Sequence, residues 1–160
     1  MQIEIFTPGG TIDKIYFDAK SRFEIGEPQV GELLREANLS LDLHITPLLR
    51  KDSLELTASD REQIRDAVAQ SSAPRIVVTH GTDTMTDTAA ALAGIPGKTI
   101  VFTGSMQPAR FRATDALYNL ASALTAVQLL PAGVWIAMNG RIFSAGKVRK
   151  NVVAHRFEEI

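Results

Sequence analysis

The chain has 160 residues, enough for one ordinary domain with a buried core. Its 17 basic and 18 acidic residues leave a net charge of −1, which excludes the concentrated basic face that nucleic-acid binding needs. Cysteine is absent, which rules out disulfides and thiolate metal sites, and 45% apolar with 22% charged residues is the composition of a globular protein.

The chain opens on a short apolar run, residues 3–6, that reads as a strand. It ends in the turn Thr7-Pro8-Gly9-Gly10-Thr11. Residues 18–26 are polar and without clear period, and read as a loop. Residues 28–38 read as a helix, with Pro28 near the start and Val30, Leu33 and Leu34 on one face. Residues 41–49 alternate enough for a second strand. Ser59-Asp60-Arg61-Glu62 reads as a capping box opening a helix that buries Ile64 and Val68.

Strand 75–79 then leads through His80-Gly81-Thr82-Asp83-Thr84-Met85 into a helix over about 86–93. Residues 98–102 make another strand, ended by Gly104. A long helix over about 114–129 and a central strand over 133–138 follow. The tail 139–151 reads as a hairpin or extended loop around Gly140 and Gly146. Strands alternating with helices predict an α/β fold: three layers, a mostly parallel open sheet, helices on both faces. No repeat, low-complexity tract or linker interrupts it, so one domain over 1–160 is expected. No basic-plus-apolar leader opens the chain and no apolar run reaches bilayer length, so the expected location is the cytoplasm, without membrane contact.

In an open α/β sheet, ligands bind beyond the carboxyl ends of the strands, where two hydroxyl-bearing turns can converge. Gly9 and Gly10 let the backbone approach a ligand and expose N–H groups that can serve an oxyanion. Thr11 places a hydroxyl at the edge. Thr82, Asp83 and Thr84 precede a helix, and one of them is expected to cap it. Three in a row exceed what a cap requires, and Asp83 in a concave site would hold a cation such as an α-ammonium. His80 at a strand end reads as structural, with at most a supporting role. A threonine nucleophile needs a base nearby, and the tail offers Lys147 and Lys150.

Three segments, Thr7-Pro8-Gly9-Gly10-Thr11-Ile12, His80 through Met85 and Thr103-Gly104-Ser105-Met106, resemble the signature segments of the bacterial-type L-asparaginase/glutaminase family, in the same order and spacing. The resemblance covers nearly the whole chain. It implies that Thr11 is the nucleophile attacking a side-chain amide, that Thr82 is the second catalytic threonine and that Asp83 holds the substrate α-ammonium. The stretch Val148-Arg149-Lys150-Asn151 resembles the family's lysine segment, which makes Lys150 the partner polarising Thr82. Asp52-Ser53 resembles the serine segment that binds the α-carboxylate, so Ser53 takes that role. Gly10 and Gly81 line the substrate, Ser105 lines the amide pocket, and Tyr16 stands for the family's mobile tyrosine.

Two departures bear on function. Leu54 replaces a position often polar in the family, and the smaller C-terminal domain usual there has no counterpart within 1–160. The expectation is therefore an asparaginase-like amidohydrolase with no metal or organic cofactor, acting on a small amide and self-associating as a homodimer or higher homo-oligomer. The alternatives are an amino-acid-binding protein of the same fold with little turnover, or an amidase for substrates without an α-ammonium.

Overall fold

The computed structural model describes residues Met1–Ile160, apart from the side chain of Glu36. Its centre is a six-stranded sheet in the order β4-β1-β5-β6-β7-β8. These strands are β1 (Gln2–Gly9), β4 (Asp42–Lys51), β5 (Arg75–Thr79), β6 (Thr99–Thr103), β7 (Gly133–Met138) and β8 (Arg141–Ser144). All neighbours run parallel except β8, which returns antiparallel along β7.

The inner strands are apolar on both faces, as a sheet covered on both sides requires. Phe6, Ile76, Val78, Ile100, Phe102 and Ile136 pack against helices α2 (Ala58–Gln70) and α3 (Met85–Ala91). Ile3, Ile5, Val77, Val101 and Ala137 alternate to the other face, against α1 (Val30–Glu36) and α4 (Ala116–Leu129). The three-layer α/β fold read from the sequence is the fold observed. Among the described residues, no helix is long and apolar enough to cross a membrane.

The sheet order fixes where a site can form. The chain leaves β1 for β4 on one side and comes back as β5 on the other, so the connections after β1 and β5 diverge. A crevice opens at such a switch point, beyond the carboxyl ends of the two strands. The turns after β1 and β5 flank it.

Two local readings are corrected. Residues 18–26 are not a plain loop: β2 (Lys14–Phe17) and β3 (Arg22–Ile25) form a separate antiparallel hairpin around a 3₁₀ turn, Asp18–Lys20. Its apolar residues meet one another across the pair, as in Tyr16 opposite Phe23, instead of facing a core, so no long alternating run marks it. The cap of α2 lies two residues earlier than Ser59. The Thr57 hydroxyl accepts from the Asp60 N–H at 3.2 Å, and the Asp60 carboxylate accepts from the Thr57 N–H at 2.8 Å. Lys51 of β4 holds that carboxylate at 2.9 Å, a tertiary contact that favours Asp60 over Glu62 as the box acid.

The tail also goes further than a single hairpin. After β8, the strands β9 (Val148–Asn151) and β10 (Arg156–Glu159) pair antiparallel as a small second sheet. Buried Val148 and Phe157 anchor it to the core beside α3, and Asn139 at the end of β7 accepts the Phe157 N–H at 2.8 Å.

Candidate active site

The turn after β1 is built around two left-handed glycines, Gly9 at φ 103° and Gly10 at φ 109°. Neither position has room for a side chain. A Cβ on Gly9 would stand 2.6 Å from the Lys51 carbonyl oxygen, and one on Gly10 would run into the backbone nitrogen of Gly81. The turns after β1 and β5 are therefore in backbone contact, and Thr11 and Thr82 each follow one of the two touching glycines. A Cβ on Gly81 would in turn lie 2.5 Å from the Ser53 hydroxyl oxygen. Three segments far apart in sequence meet at one point because three positions lack side chains.

The Ser53 turn is further tied to the β5–α3 turn. The Thr84 hydroxyl donates to the Ser53 carbonyl at 2.7 Å. This corrects the expectation that a residue of Thr82-Asp83-Thr84 caps α3: Thr84 occupies the N-cap position but makes no capping hydrogen bond. Its hydroxyl is already committed to the neighbouring turn.

Lys150, on β9, completes the cluster. It lies on the same strand face as buried Val148, and its ammonium donates to the Thr82 hydroxyl at 2.7 Å and to Asp83 Oδ1 at 2.6 Å. Thr82 is buried, the Lys150 side chain is mostly so, and the Asp83 side chain is 44% exposed. Lys147, the other lysine of the tail, is exposed on the turn between β8 and β9, and its side chain makes no hydrogen bond among the described residues. Geometry thus separates the two lysines that composition left equal.

His80 is fully buried against Phe102, with its Nδ1–H donating to the Gly81 carbonyl at 2.7 Å. Burial pushes its pKa down to about 4 against the opposing pull of that hydrogen bond, so the ring is neutral near pH 7. It supports the Gly81 turn from below. Gly104, after β6, presses on the His80 carbonyl, and the His80 N–H donates to the Thr103 carbonyl at 2.8 Å.

Two residues stand apart from the cluster. Ser105 is buried, and its hydroxyl donates to the Gln107 carbonyl at 2.6 Å. Tyr16 is 53% exposed on β2, its ring edge-on to Phe23 at 5.4 Å, and its hydroxyl makes no hydrogen bond among the described residues. The structure brings together Gly10, Thr11, Ser53, Gly81, Thr82, Asp83 and Lys150. Among the described residues, no group of three His, Asp or Glu side chains is placed to hold a metal ion.

Several supporting residues escaped the sequence reading. Asn119 lies buried on the apolar face of α4, where its amide donates to the Gly104 carbonyl at 3.0 Å and to Asp115 at 2.9 Å, and its oxygen accepts the Asn139 N–H at 3.3 Å. It joins the ends of β6 and β7. A single amide among Ala116, Leu120, Ala123 and Leu124 is the signal that marks it.

Asp13 closes the 3₁₀ turn Thr11–Asp13 and is almost fully buried, accepting the Gln29 N–H at 2.8 Å. Burial raises its pKa from 3.8 to about 6, the Gln29 hydrogen bond opposing. A carboxyl whose pKa is raised by folding costs nothing below its unfolded pKa and destabilises as pH rises through the folded one. Asp13→Asn keeps an oxygen for Gln29 but cannot ionise. It should be more stable than the wild type above pH 7, by up to about 3 kcal/mol, with the gap closing below about pH 4. Urea midpoints measured from pH 4 to 8 check this, and a gap independent of pH would refute it.

Residues 2–157 match the family model described as Asparaginase, N-terminal. A glutaminase-asparaginase of Acinetobacter glutaminasificans is 34% identical over 134 residues, covering 80% of this chain and 39% of that protein. The structure of the thermostable L-asparaginase from Thermococcus kodakarensis matches with a TM-score of 0.86 at 25% identity, over 100% of this chain and 51% of that one. L-asparaginase I from Vibrio cholerae O1 biovar eltor matches at 0.85 and 27% identity, over 99% of this chain and 51% of that one. The chain thus spans about half the length of these relatives, or less.

Proposed function

The chain belongs to the asparaginase family, and from that premise we propose that it is an amidohydrolase releasing ammonia from L-asparagine or a related small amide, with Thr11 as nucleophile. The observation that carries this reading is the 2.7 Å hydrogen bond from Lys150 to the Thr82 hydroxyl, one glycine contact away from Thr11. A hydroxyl that accepts from an ammonium directs its own O–H elsewhere and is polarised.

In this mechanism the Thr11 oxygen attacks the amide carbon while its proton passes to the Thr82 hydroxyl oxygen and the Thr82 proton moves on to the amide nitrogen, with the Lys150 ammonium polarising Thr82 throughout. The amide oxygen becomes an oxyanion facing N–H groups near Gly10 or Thr82. Collapse breaks the C–N bond, and ammonia leaves carrying a proton from the site. Water then hydrolyses the Thr11 ester and restores the hydroxyl. Asp83 holds the α-ammonium through Oδ2, which has no partner among the described residues, and Ser53 takes the α-carboxylate. Gly10 and Gly81 allow close approach, Ser105 shapes the amide side, and Tyr16 covers the site from the hairpin.

The test is ammonia release from L-asparagine, L-glutamine and simple amides in one preparation. L-Asparagine and L-glutamine should both turn over faster than simple amides, because only amino-acid amides engage both Asp83 and Ser53, and a site built for polar groups rejects ligands lacking them. No release from any amide, with L-asparagine still bound, would replace this reading with that of a binding protein of the same fold.

We also propose a cytoplasmic homo-oligomer. Helix α4 carries no charged residue, and Tyr118 and Leu129 on it are exposed beside Ile142 of β8. Contiguous apolar surface of this kind favours association. Sedimentation at micromolar concentration should show a species heavier than the 17.4 kDa chain, and a monomer alone would count against it.

A further inference from the structure

Among the described residues, the β2–β3 hairpin pairs with no strand of the main sheet. It leaves the body directly after the Thr11–Asp13 turn and returns where the Gly26 N–H donates to the Asp13 carbonyl at 2.8 Å. What orients it over the body is therefore side-chain contact. Two of its ion pairs, Lys20 and Arg22 with Glu24, lie within the hairpin and cannot do this. One crosses to the site: the Lys14 ammonium lies 2.8 Å from Asp52 Oδ2, both side chains about two-thirds buried or more. Just past the hairpin, Glu27 pairs with Arg50, but both are solvent-exposed, and such pairs contribute little.

Asp52 has a second task. Its Oδ1 accepts the Leu54 N–H at 3.1 Å and so caps the 3₁₀ turn Ser53–Glu55, which carries Ser53. One carboxylate thus holds both the hairpin and the Ser53 turn. Burial alone would raise the pKa of Asp52; the hydrogen bonds from Lys14 and the Leu54 N–H, with the charges of Lys14 and Lys150, outweigh it and hold the group ionised. Lys14 and Asp52 face one another across a cleft also lined by Arg22, Phe23 and Leu54. The hairpin also meets the body through apolar contacts: Ile25 lies against the Gly9 turn, and the Phe23 ring is 5.9 Å from that of Phe111.

We propose that Lys14 is a positioning residue: its ion pair with Asp52 fastens the β2–β3 hairpin to the Ser53 turn and sets the side of the site that receives the substrate carboxylate. The proposal rests on the amidohydrolase reading for its effect on substrate, but not for the fastening itself. Breaking the pair frees the hairpin and loosens the Ser53 turn, while the hydrogen bond from Lys150 to Thr82 stays in place. Substrate binding then weakens while the chemical step is spared.

The test uses Lys14→Met, Lys14→Arg, Asp52→Asn and the double variant Lys14→Met with Asp52→Asn. Asn keeps an oxygen for the Leu54 N–H but loses the charge. Hydrogen exchange of amides 14–25 should accelerate in Lys14→Met and Asp52→Asn and stay near wild type in Lys14→Arg. KM for L-asparagine should rise about ten-fold in Lys14→Met and in Asp52→Asn with kcat within about two-fold, and the double variant should be no worse than either. Unchanged exchange overturns the fastening, and faster exchange with unchanged KM overturns the positioning role. Additive losses in the double variant overturn the pairing. If the wild type releases no ammonia from any amide, the amidohydrolase reading fails, and the exchange pattern alone decides whether Lys14 and Asp52 hold the hairpin.

Discussion

Thr11→Ala should lower ammonia release by about 10⁴-fold or more while leaving the fold intact. A covalent nucleophile has no substitute within the site, and what remains after its removal is only binding and oxyanion stabilisation. The fold should not notice. Thr11 is only half-buried, and its side chain makes no hydrogen bond among the described residues, so its loss belongs with substitutions worth roughly 0.5 kcal/mol. The turn itself is shaped by Gly9 and Gly10, which the substitution leaves alone. The measurement is ammonia release beside a thermal melt. A folded Thr11→Ala protein with near-normal turnover removes Thr11 from the nucleophile role and leaves Thr82 as the candidate.

Thr82→Val and Lys150→Met form the second large effect. Val replaces Thr82 at nearly constant volume, and Met keeps much of the apolar stem of Lys150, so each removes a polar function from a mostly buried place with little loss of packing. Each should cost about 10³-fold or more in kcat, and the double variant should be scarcely worse than either single one. The reason is geometric. The Lys150 ammonium acts on the reaction through the Thr82 hydroxyl 2.7 Å away, and once either is gone the other has nothing to act on. Losses that simply multiply would mean separate roles. Lys150→Met also leaves Asp83 without its 2.6 Å cation, so KM for L-asparagine is a useful companion readout: it should move far less than kcat if Lys150 serves chemistry more than binding.

What could be read from the chain beforehand was whatever repeats over a few neighbours. β5 at Arg75–Thr79 and β7 at Gly133–Met138 have the bounds expected from their apolar runs. Both are inner strands, covered on two faces, so their run of apolar residues is unbroken and sharply ended. The β2–β3 hairpin was missed for the opposite reason: it faces no core, and its four-residue strands carry no period long enough to register. The cap of α2 was displaced because two boxes were open in Thr57–Glu62, and Lys51 chose between them from another element.

The site divides along the same line. Sequence alone determined the turns, since glycine pairs and threonines after apolar runs, and their resemblance to a known family, are properties of adjacent residues. Tertiary structure decided how they are used. It placed the turns after β1 and β5 at the switch point of the sheet, pressed Gly10 on Gly81 and Gly81 on Ser53, and brought Lys150 to a threonine 68 residues away. It left Lys147 in solvent and gave Thr84 to the Ser53 carbonyl instead of to its own helix. The physical reason is the range of the forces. Strand and turn preferences are settled by backbone sterics and local burial, whereas a hydrogen bond between distant residues exists only once the sheet order has put two chain segments within 3 Å.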